Sequence, residues 1–558
     1  MHGPTATTAS KNPMKHRVAD VLARRLALHT RLAFGVPGGE ILTFLDALDR
    51  AGVRFVLTRH EASAGFAARA AQRVDGGVGL LVATLGPGVA NTVLPALDAQ
   101  QARRPLVVVT GCVQGDAEGT YTHQIVDHRR LLEPVVKASF RVTADHADTL
   151  VRRAIALARD GVPGPVHLDL PTDVAERLVD VPTRLVDALD RRDPSLRASR
   201  IDTAILASPA PFDRLRGQLR SARRPLLILG LEALDADVAL LRRTVARAGV
   251  PVLTTYDAKG LVDEHEPHAL GAFGLSPSAD RSLLPWIRDA DFVVLCGYDP
   301  VEVRASWRMP FGEGATVVEL TRAEALHGMH VATHTLVGDP ARLLESLFAE
   351  VPPSRPWVDD SQPLRAALVD TFAPTVPRSP CAIAKVLEEE VPSDAWWTLD
   401  TGAHRIVLSQ ALRLRAPRLI QSSGLSTMAC AIPFAIGAAL ASPGAPLVAI
   451  VGDGGLEMAM GELCTLAERA LPVVVVVLDD RSLALIELKQ RQRGLTNLGV
   501  DFVDSAPDHA AVARACGLDA FTADDEDALR VALRIAFASR RPSLVHVRLP
   551  RRAYDEVL

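Results

Sequence analysis

Leu447-Val-Ala-Ile-Val-Gly452-Asp453-Gly454-Gly455 is followed, one helix-length interval later, by Val473-Val-Val-Val-Val-Leu-Asp479-Asp480. Each stretch begins as a short apolar run rich in β-branched residues, the mark of a buried strand. Two such strands joined by a helical crossover make a parallel βαβ unit, so Asp453 and Asp480 are expected side by side beyond the strand ends. Ligands of open α/β sheets bind at that carboxyl edge, where oxygen donors suit Mg²⁺ or Ca²⁺. Gly452, Gly454 and Gly455 let backbone approach a ligand closely. A helix predicted to open near Leu456 would aim its free N–H groups at the same place. A diphosphate bridged by a metal ion fits this combination. On its own, however, a Gly-Asp-Gly more often marks a strand-to-turn transition, and other segments must decide.

Three blocks near the N-terminus follow in order: Phe34-Gly-Val-Pro37-Gly38-Gly39, Arg59-His60-Glu61-Ala62 and Thr84-Leu-Gly86-Pro-Gly-Val-Ala-Asn91. Tyr121-Thr-His123-Gln124-Ile-Val-Asp127 then leads to Pro134-Val-Val-Lys137. Further on stand Leu399-Asp400-Thr-Gly402-Ala403-His404, Ser423-Gly424-Leu-Ser426-Thr-Met428 and the helical Pro433-Phe-Ala-Ile-Gly-Ala-Ala439. With Gly-Asp-Gly and an acidic residue 27 positions after Asp453, the set resembles the thiamine diphosphate enzymes of the acetolactate synthase and pyruvate decarboxylase superfamily. The likeness covers nearly the whole chain and is greatest to the catabolic, FAD-independent acetolactate synthases.

That resemblance implies an α/β fold of three doubly wound parallel-sheet domains: pyrimidine-binding (15–180), central Rossmann-like (200–350) and diphosphate-binding (375–558). It implies thiamine diphosphate and Mg²⁺ as cofactors. Glu61 matches the activating glutamate, which holds a proton on N1′ of the aminopyrimidine so that the neighbouring nitrogen can take the proton from C2. Gln124 falls on the position facing the reacting centre, while His123, Asp127 and Lys137 are read as structural. Pro37, Gly38, Gly86 and Asn91 fall among the cofactor-binding residues of the first domain. Gly402, Ala403 and His404 match a turn on the diphosphate, and Gly424 and Ser426 lie in the segment beside the aminopyrimidine. Met428 matches the apolar wedge that bends the cofactor. Such pre-orientation removes much of the entropic barrier to an intramolecular proton transfer. Gly452, Gly454, Gly455, Met458 and Leu485 complete the cofactor-binding set. The metal ligands are expected to be Asp453, Asp480 and the carbonyl of Ser482. A methionine on an apolar helix is also ordinary core filling, and Met458 is open to that reading.

Departures from the family pattern matter as well. Asp480 stands where Asn is usual, adding negative charge to the metal site. Glu40 replaces a small residue or Lys, and an inward-pointing acid there would disfavour a pyruvate-like carboxylate. No Trp follows Trp397, so the tryptophan that selects 2-oxobutyrate in biosynthetic relatives is missing, and Lys489 lies near its place. FAD is not expected: no Gly-x-Gly-x-x-Gly follows Leu229, and Tyr298-Asp-Pro-Val-Glu302 resembles the flavin-free branch.

Composition agrees with a multidomain globular chain: 558 residues, 48% hydrophobic and 23% charged. A net charge of −4 leaves no footprint for nucleic acid or a membrane surface. There is no apolar signal core and no run of about 18 apolar residues. The six cysteines (Cys112, Cys296, Cys381, Cys430, Cys464, Cys516) show no Cys-x-x-Cys spacing. They read as reduced and buried, as expected of a cytoplasmic protein. Residues 1 to about 14 read as a disordered leader, and 179–200 and Pro352–Pro363 as linkers.

The expected activity is decarboxylation of a 2-oxo acid with carboligation to a second carbonyl compound. Simple decarboxylation and lysis of an acyloin or sulfonate stay open, as does a non-catalytic partner subunit. The expected partners are a small 2-oxo acid and further copies of the chain. A homodimer or homotetramer would place each active site at a subunit interface.

Overall fold

The computed structural model describes residues 14–115, 119–181, 210–324, 327–351, 355–502 and 507–558. All of the expected leader but Met14 lies outside them, and so do residues 182–200 of the first expected linker. The chain divides into two compact units, one built mainly from residues up to 200 and one mainly from residues 201 onward.

The first unit contains β1 (Met14–Arg17), β2 (Leu32–Val36), β3 (Arg54–Leu57), β4 (Gly79–Ala83), β5 (Leu106–Cys112), β6 (Ala138–Arg141), β7 (Pro165–Pro171) and β8 (Leu178–Val181). Six of them form a parallel sheet ordered β3-β2-β4-β5-β7-β6, and β1 pairs antiparallel with β8. Leu80, Val82, Val107 and Val109 pack with Val18, Leu22 and Leu26 of one helix and Val151, Ala154 and Ile155 of another. Their neighbours Leu81 and Val108 are equally buried. Burial of both faces is why these strands read as unbroken apolar runs.

The second unit holds two more sheets. One contains β9 (Pro225–Leu229), β10 (Val252–Thr255), β11 (Ala269–Phe273), β12 (Phe292–Cys296), β13 (Thr316–Thr321) and β14 (His334–Val337), ordered β11-β10-β9-β12-β13-β14. The other contains β15 (Trp396–Leu399), β16 (Leu419–Gln421), β17 (Leu447–Gly452), β18 (Val473–Asp479), β19 (Asp519–Ala523) and β20 (Ser543–Arg548), ordered β16-β15-β17-β18-β20-β19. All pairings in both are parallel. Three parallel six-stranded sheets with flanking helices are the α/β fold expected. In the last sheet the strand order reverses between β15 and β17, which opens a ligand crevice at their carboxyl ends.

Two readings need correction. The stretch Pro352–Pro363 is no simple linker, because a helix runs Arg355–Thr371 with Pro363 inside it. Its apolar face decides: Trp357 packs on one core, and Leu364, Leu368 and the following Phe372 pack on another. That burial outweighs the local Pro and Ser signals. All six cysteines are free, but Cys464 and Cys516 are only half-buried.

Candidate functional site

Parallel pairing of Gly452 with Leu478 sets Asp453 and Asp480 just beyond the ends of adjacent strands. Gly452 caps the helix Asp453–Ala459, so the helix opens three residues before the expected Leu456. The cause is Asp453 itself, a carboxylate favoured in a first turn, whose Oδ1 accepts the Gly454 N–H at 2.8 Å. Its Oδ2 is buried without a hydrogen-bond partner, and so is Oδ2 of Asp480. Burial pushes the Asp480 carboxyl up to about 8, with the charges of Asp453 and Asp479 adding to it. Asp453 is raised as well, by burial and by Asp479. Orphaned buried oxygens on two mutually repelling carboxylates fit a divalent cation, which would satisfy both. The Ser482 hydroxyl donates to Glu487 Oε2 at 2.5 Å, so a ligand role for Ser482 falls to its carbonyl.

Asp479, the last residue of β18, behaves differently. Burial alone would raise its carboxyl, but the nearby His509 ring and the hydrogen bond from His546 hold it well below the usual range. His546 Nε2 lies 2.7 Å and His509 Nδ1 3.7 Å from its Oδ2. The three side chains come from separate elements, and no sequence spacing announced them.

The crevice between β15 and β17 is lined by backbone. Asp400, just past β15, accepts N–H groups of Ala429 and Cys430 at 3.1 and 2.9 Å. Gly455 lies against Asp400, and Gly402 and Gly452 against the His404 ring. A side chain at any of these positions would crowd Asp400 or the His404 ring, so glycine is what fits there. The helix Ala403–Ala411 starts at Gly402 beside them. His404 is buried, and burial plus the Arg405 charge push its ring down to about 3. It is therefore neutral, with Nε2 buried and unpartnered. Arg405 forks to the Ser422 carbonyl at 2.7 Å and the Ser426 hydroxyl at 2.9 Å. That fork holds Ser426 in a left-handed turn, φ 59°. Gly424 lies against Gln101 and Val301, Ala403 is buried and Met428 is half-buried. Leu485 packs against the hydrophobic core. Met458 is 66% exposed, so within this chain it is not core filling.

In the first unit, Glu61 opens the helix Glu61–Asp75, where His60 Nδ1 accepts the Ala62 N–H at 3.0 Å. Glu61 is 8% exposed and accepts the Asn91 side-chain amide at 2.9 Å. The structure thus brings together two residues singled out on separate motifs. Gly86 packs on Gln124, with a Cβ at Gly86 falling 2.8 Å from the Gln124 Cβ. Gln124 itself is exposed in a left-handed conformation, φ 58°. Pro37 is exposed and Gly38 packs on Thr84. The Thr84 hydroxyl donates to Glu40 Oε2 at 2.7 Å, which places the unusual Glu40 among the motif residues. Asp127 caps the helix His128–Leu132, and Lys137 donates to the carbonyls of Leu157, Asp160 and Val162.

Comparison with known proteins finds family domains along most of the chain. Residues 16–131 match the N-terminal TPP binding domain of thiamine pyrophosphate enzymes, 212–347 the central domain, and 400–547 the C-terminal TPP binding domain. The acetolactate synthase large subunit of Parasynechococcus marenigrum is 31% identical over 94% of this chain and 86% of its own length. The chain belongs to the acetolactate synthase-like thiamine diphosphate enzymes. Isozyme 1 large subunit of Escherichia coli acetolactate synthase is 29% identical over 93% of this chain and 91% of its own. The catabolic acetolactate synthase of Raoultella terrigena is 28% identical over 95% and 94%.

Within this thiamine diphosphate enzyme, three residues close to Asp453, Asp479 or Asp480 were not read from sequence: His509, His546 and Tyr554. Tyr554 is buried, and burial together with the charges of Asp480 and Asp453 raises its hydroxyl well above the ordinary value. It comes from the last residues of the chain, where no motif pointed. Among the described residues, no helix is long and apolar enough to cross a membrane.

Proposed function

We propose that this enzyme decarboxylates a 2-oxo acid with thiamine diphosphate and Mg²⁺ and joins the remaining acyl unit to a second carbonyl compound, two pyruvates giving acetolactate. The observation that carries the reading is the pair of buried, donorless oxygens on Asp453 and Asp480. Asp453, Asp480 and the Ser482 carbonyl would hold the ion, and Gly402 to His404 with Gly452 to Gly455 would hold the diphosphate. When bound, thiamine diphosphate supplies the carbon nucleophile and the electron sink.

The chain's own residues position and move protons. Glu61 holds a proton at N1′, with Asn91 fixing its carboxylate. Gln124 would offer an amide to the substrate, and Met428 would supply an apolar side chain against the cofactor. The His404 ring presents a nitrogen beside the diphosphate turn. Two copies of the chain would complete each site, Glu61 from one and Asp453 with Asp480 from the other. A homodimer or homotetramer follows, and the six free cysteines support a cytoplasmic setting.

FAD has no role in this reading. The turn after β9 is the short helix Leu231–Asp235, with Gly230 pressed on the Gly297 backbone. Glu232 places a carboxylate there, held by the Arg322 N–H at 3.0 Å. An acid is a poor neighbour for a dinucleotide's phosphates.

Incubating the purified protein with pyruvate, thiamine diphosphate and Mg²⁺ tests the proposal. Acetolactate is the expected product, lost when either cofactor is omitted. Acetaldehyde alone would mean simple decarboxylation, and no uptake of thiamine diphosphate at saturating Mg²⁺ would overturn the reading.

A further inference from the structure

The carboxyl half of the central sheet holds a side-chain cluster that the proposed reaction does not use. Glu319 lies in β13, and His327 and His330 lie between β13 and β14. One ligating atom from each stands within 4.8 Å of the other two. Glu319 and His330 are buried, and His327 is half-buried.

His330 Nε2 is 3.6 Å from Glu319 Oε1. That is too long for a good hydrogen bond. It is close to the ~3.4 Å that separates two donors on one tetrahedral ion with bonds of about 2.0–2.1 Å. The two imidazole rings lie 4.5 Å apart, centroid to centroid. His327 Nδ1 is engaged by the Met329 N–H at 3.3 Å, a long bond that an ion could replace.

The surroundings support ligation. Thr335 donates to Glu319 Oε2 at 3.3 Å, fixing the carboxylate from the next strand as outer partners of metal ligands do. Tyr298 and Phe311 wall His330 at 5.5 and 6.0 Å, restricting its rotation. Two imidazoles and one carboxylate suit a borderline divalent ion and leave a fourth position for water. The all-oxygen set at Asp453 and Asp480 suits a hard ion instead.

We propose that Glu319, His327 and His330 form a second metal site, for a divalent transition-metal ion of the zinc class. It is independent of the thiamine diphosphate reading.

The test uses the full-length protein, stripped with a chelator and titrated with Co²⁺ in excess Mg²⁺. One equivalent of Co²⁺ should bind with an intense visible d–d band, and Zn²⁺ should displace it. His330→Gln and the less buried His327→Gln should each weaken the affinity by roughly 100-fold. Asp453→Asn should leave the band in place, which separates this site from the magnesium site. Thermal melts of the metal-free variants show whether each has folded. The proposal fails if no such equivalent binds, if it persists in both histidine variants, or if His509→Gln removes it instead.

Discussion

A Cβ placed on Gly455 would lie 2.0 Å from Asp400 Oδ2. Asp400 is the acceptor that ties the turn at Ala429 and Cys430 to the end of β15, so neither partner can give way cheaply. Gly455→Ala should therefore lower stability by about 3 kcal/mol and weaken thiamine diphosphate binding. Urea unfolding and quenching of Trp396 and Trp397 fluorescence read the two effects. Wild-type binding in this variant would show that the crevice does not hold the diphosphate.

Asp480 gives a pH signature. Its carboxyl rises from 3.8 to about 8 on folding, so the metal-free native state binds more protons than the unfolded chain between those values. Stability of the metal-free protein should then fall as pH rises from about 4 to 8. Asp480→Asn should flatten that fall, leaving the variant more stable than the wild type at pH 8 by roughly 2 kcal/mol. Mg²⁺ should stabilise the wild type more at pH 8 than at pH 6, because protons no longer compete. Melting curves with and without Mg²⁺ at both pH values test the signs.

Asn91 holds Glu61 at 2.9 Å. Glu61→Gln should abolish most turnover while leaving thiamine diphosphate bound, since it removes an acid rather than a phosphate contact. Asn91→Ala should lower kcat by about 10-fold to 100-fold with a smaller change in KM, and Asn91→Gln should restore part of it. Steady-state kinetics with pyruvate decide, and unchanged turnover in Glu61→Gln would falsify the catalytic assignment.

Glu487 is buried beside Ser482 and faces Arg551 and Arg552, at 3.4 and 3.1 Å. Removing both arginines would leave this buried carboxylate, next to a metal-ligand candidate, with the Ser482 hydroxyl and Arg491 at 3.9 Å. The double variant Arg551→Ala, Arg552→Ala should lose only about 1 kcal/mol, because both arginines are partly exposed, and its apparent Mg²⁺ affinity should drop. Calorimetric Mg²⁺ titration in saturating thiamine diphosphate measures the second effect.

Much of this molecule was legible because its signals are local. The run of five valines and Leu478 before Asp479 is buried along its whole length, so composition alone marks the strand, and the glycines around Asp453 mark the turn. Where reading failed, a distant partner overrode the local cue. Pro363 sits inside a helix because Leu364 and Leu368 find a core, and the antiparallel pair of β1 and β8 joins residues more than 160 positions apart.

Periodicity and motif order determined the three parallel α/β sheets and the placing of two carboxylates past neighbouring strand ends, since these depend on a few consecutive residues at a time. Only the tertiary structure decided that Asp453 and Asp480 each keep a donorless oxygen while Asp479 is held by two histidines. The difference arises from contacts of 2.7 and 3.7 Å between elements far apart in sequence. Burial and hydrogen bonding set the charge of a carboxylate, and neither can be read from its neighbours along the chain.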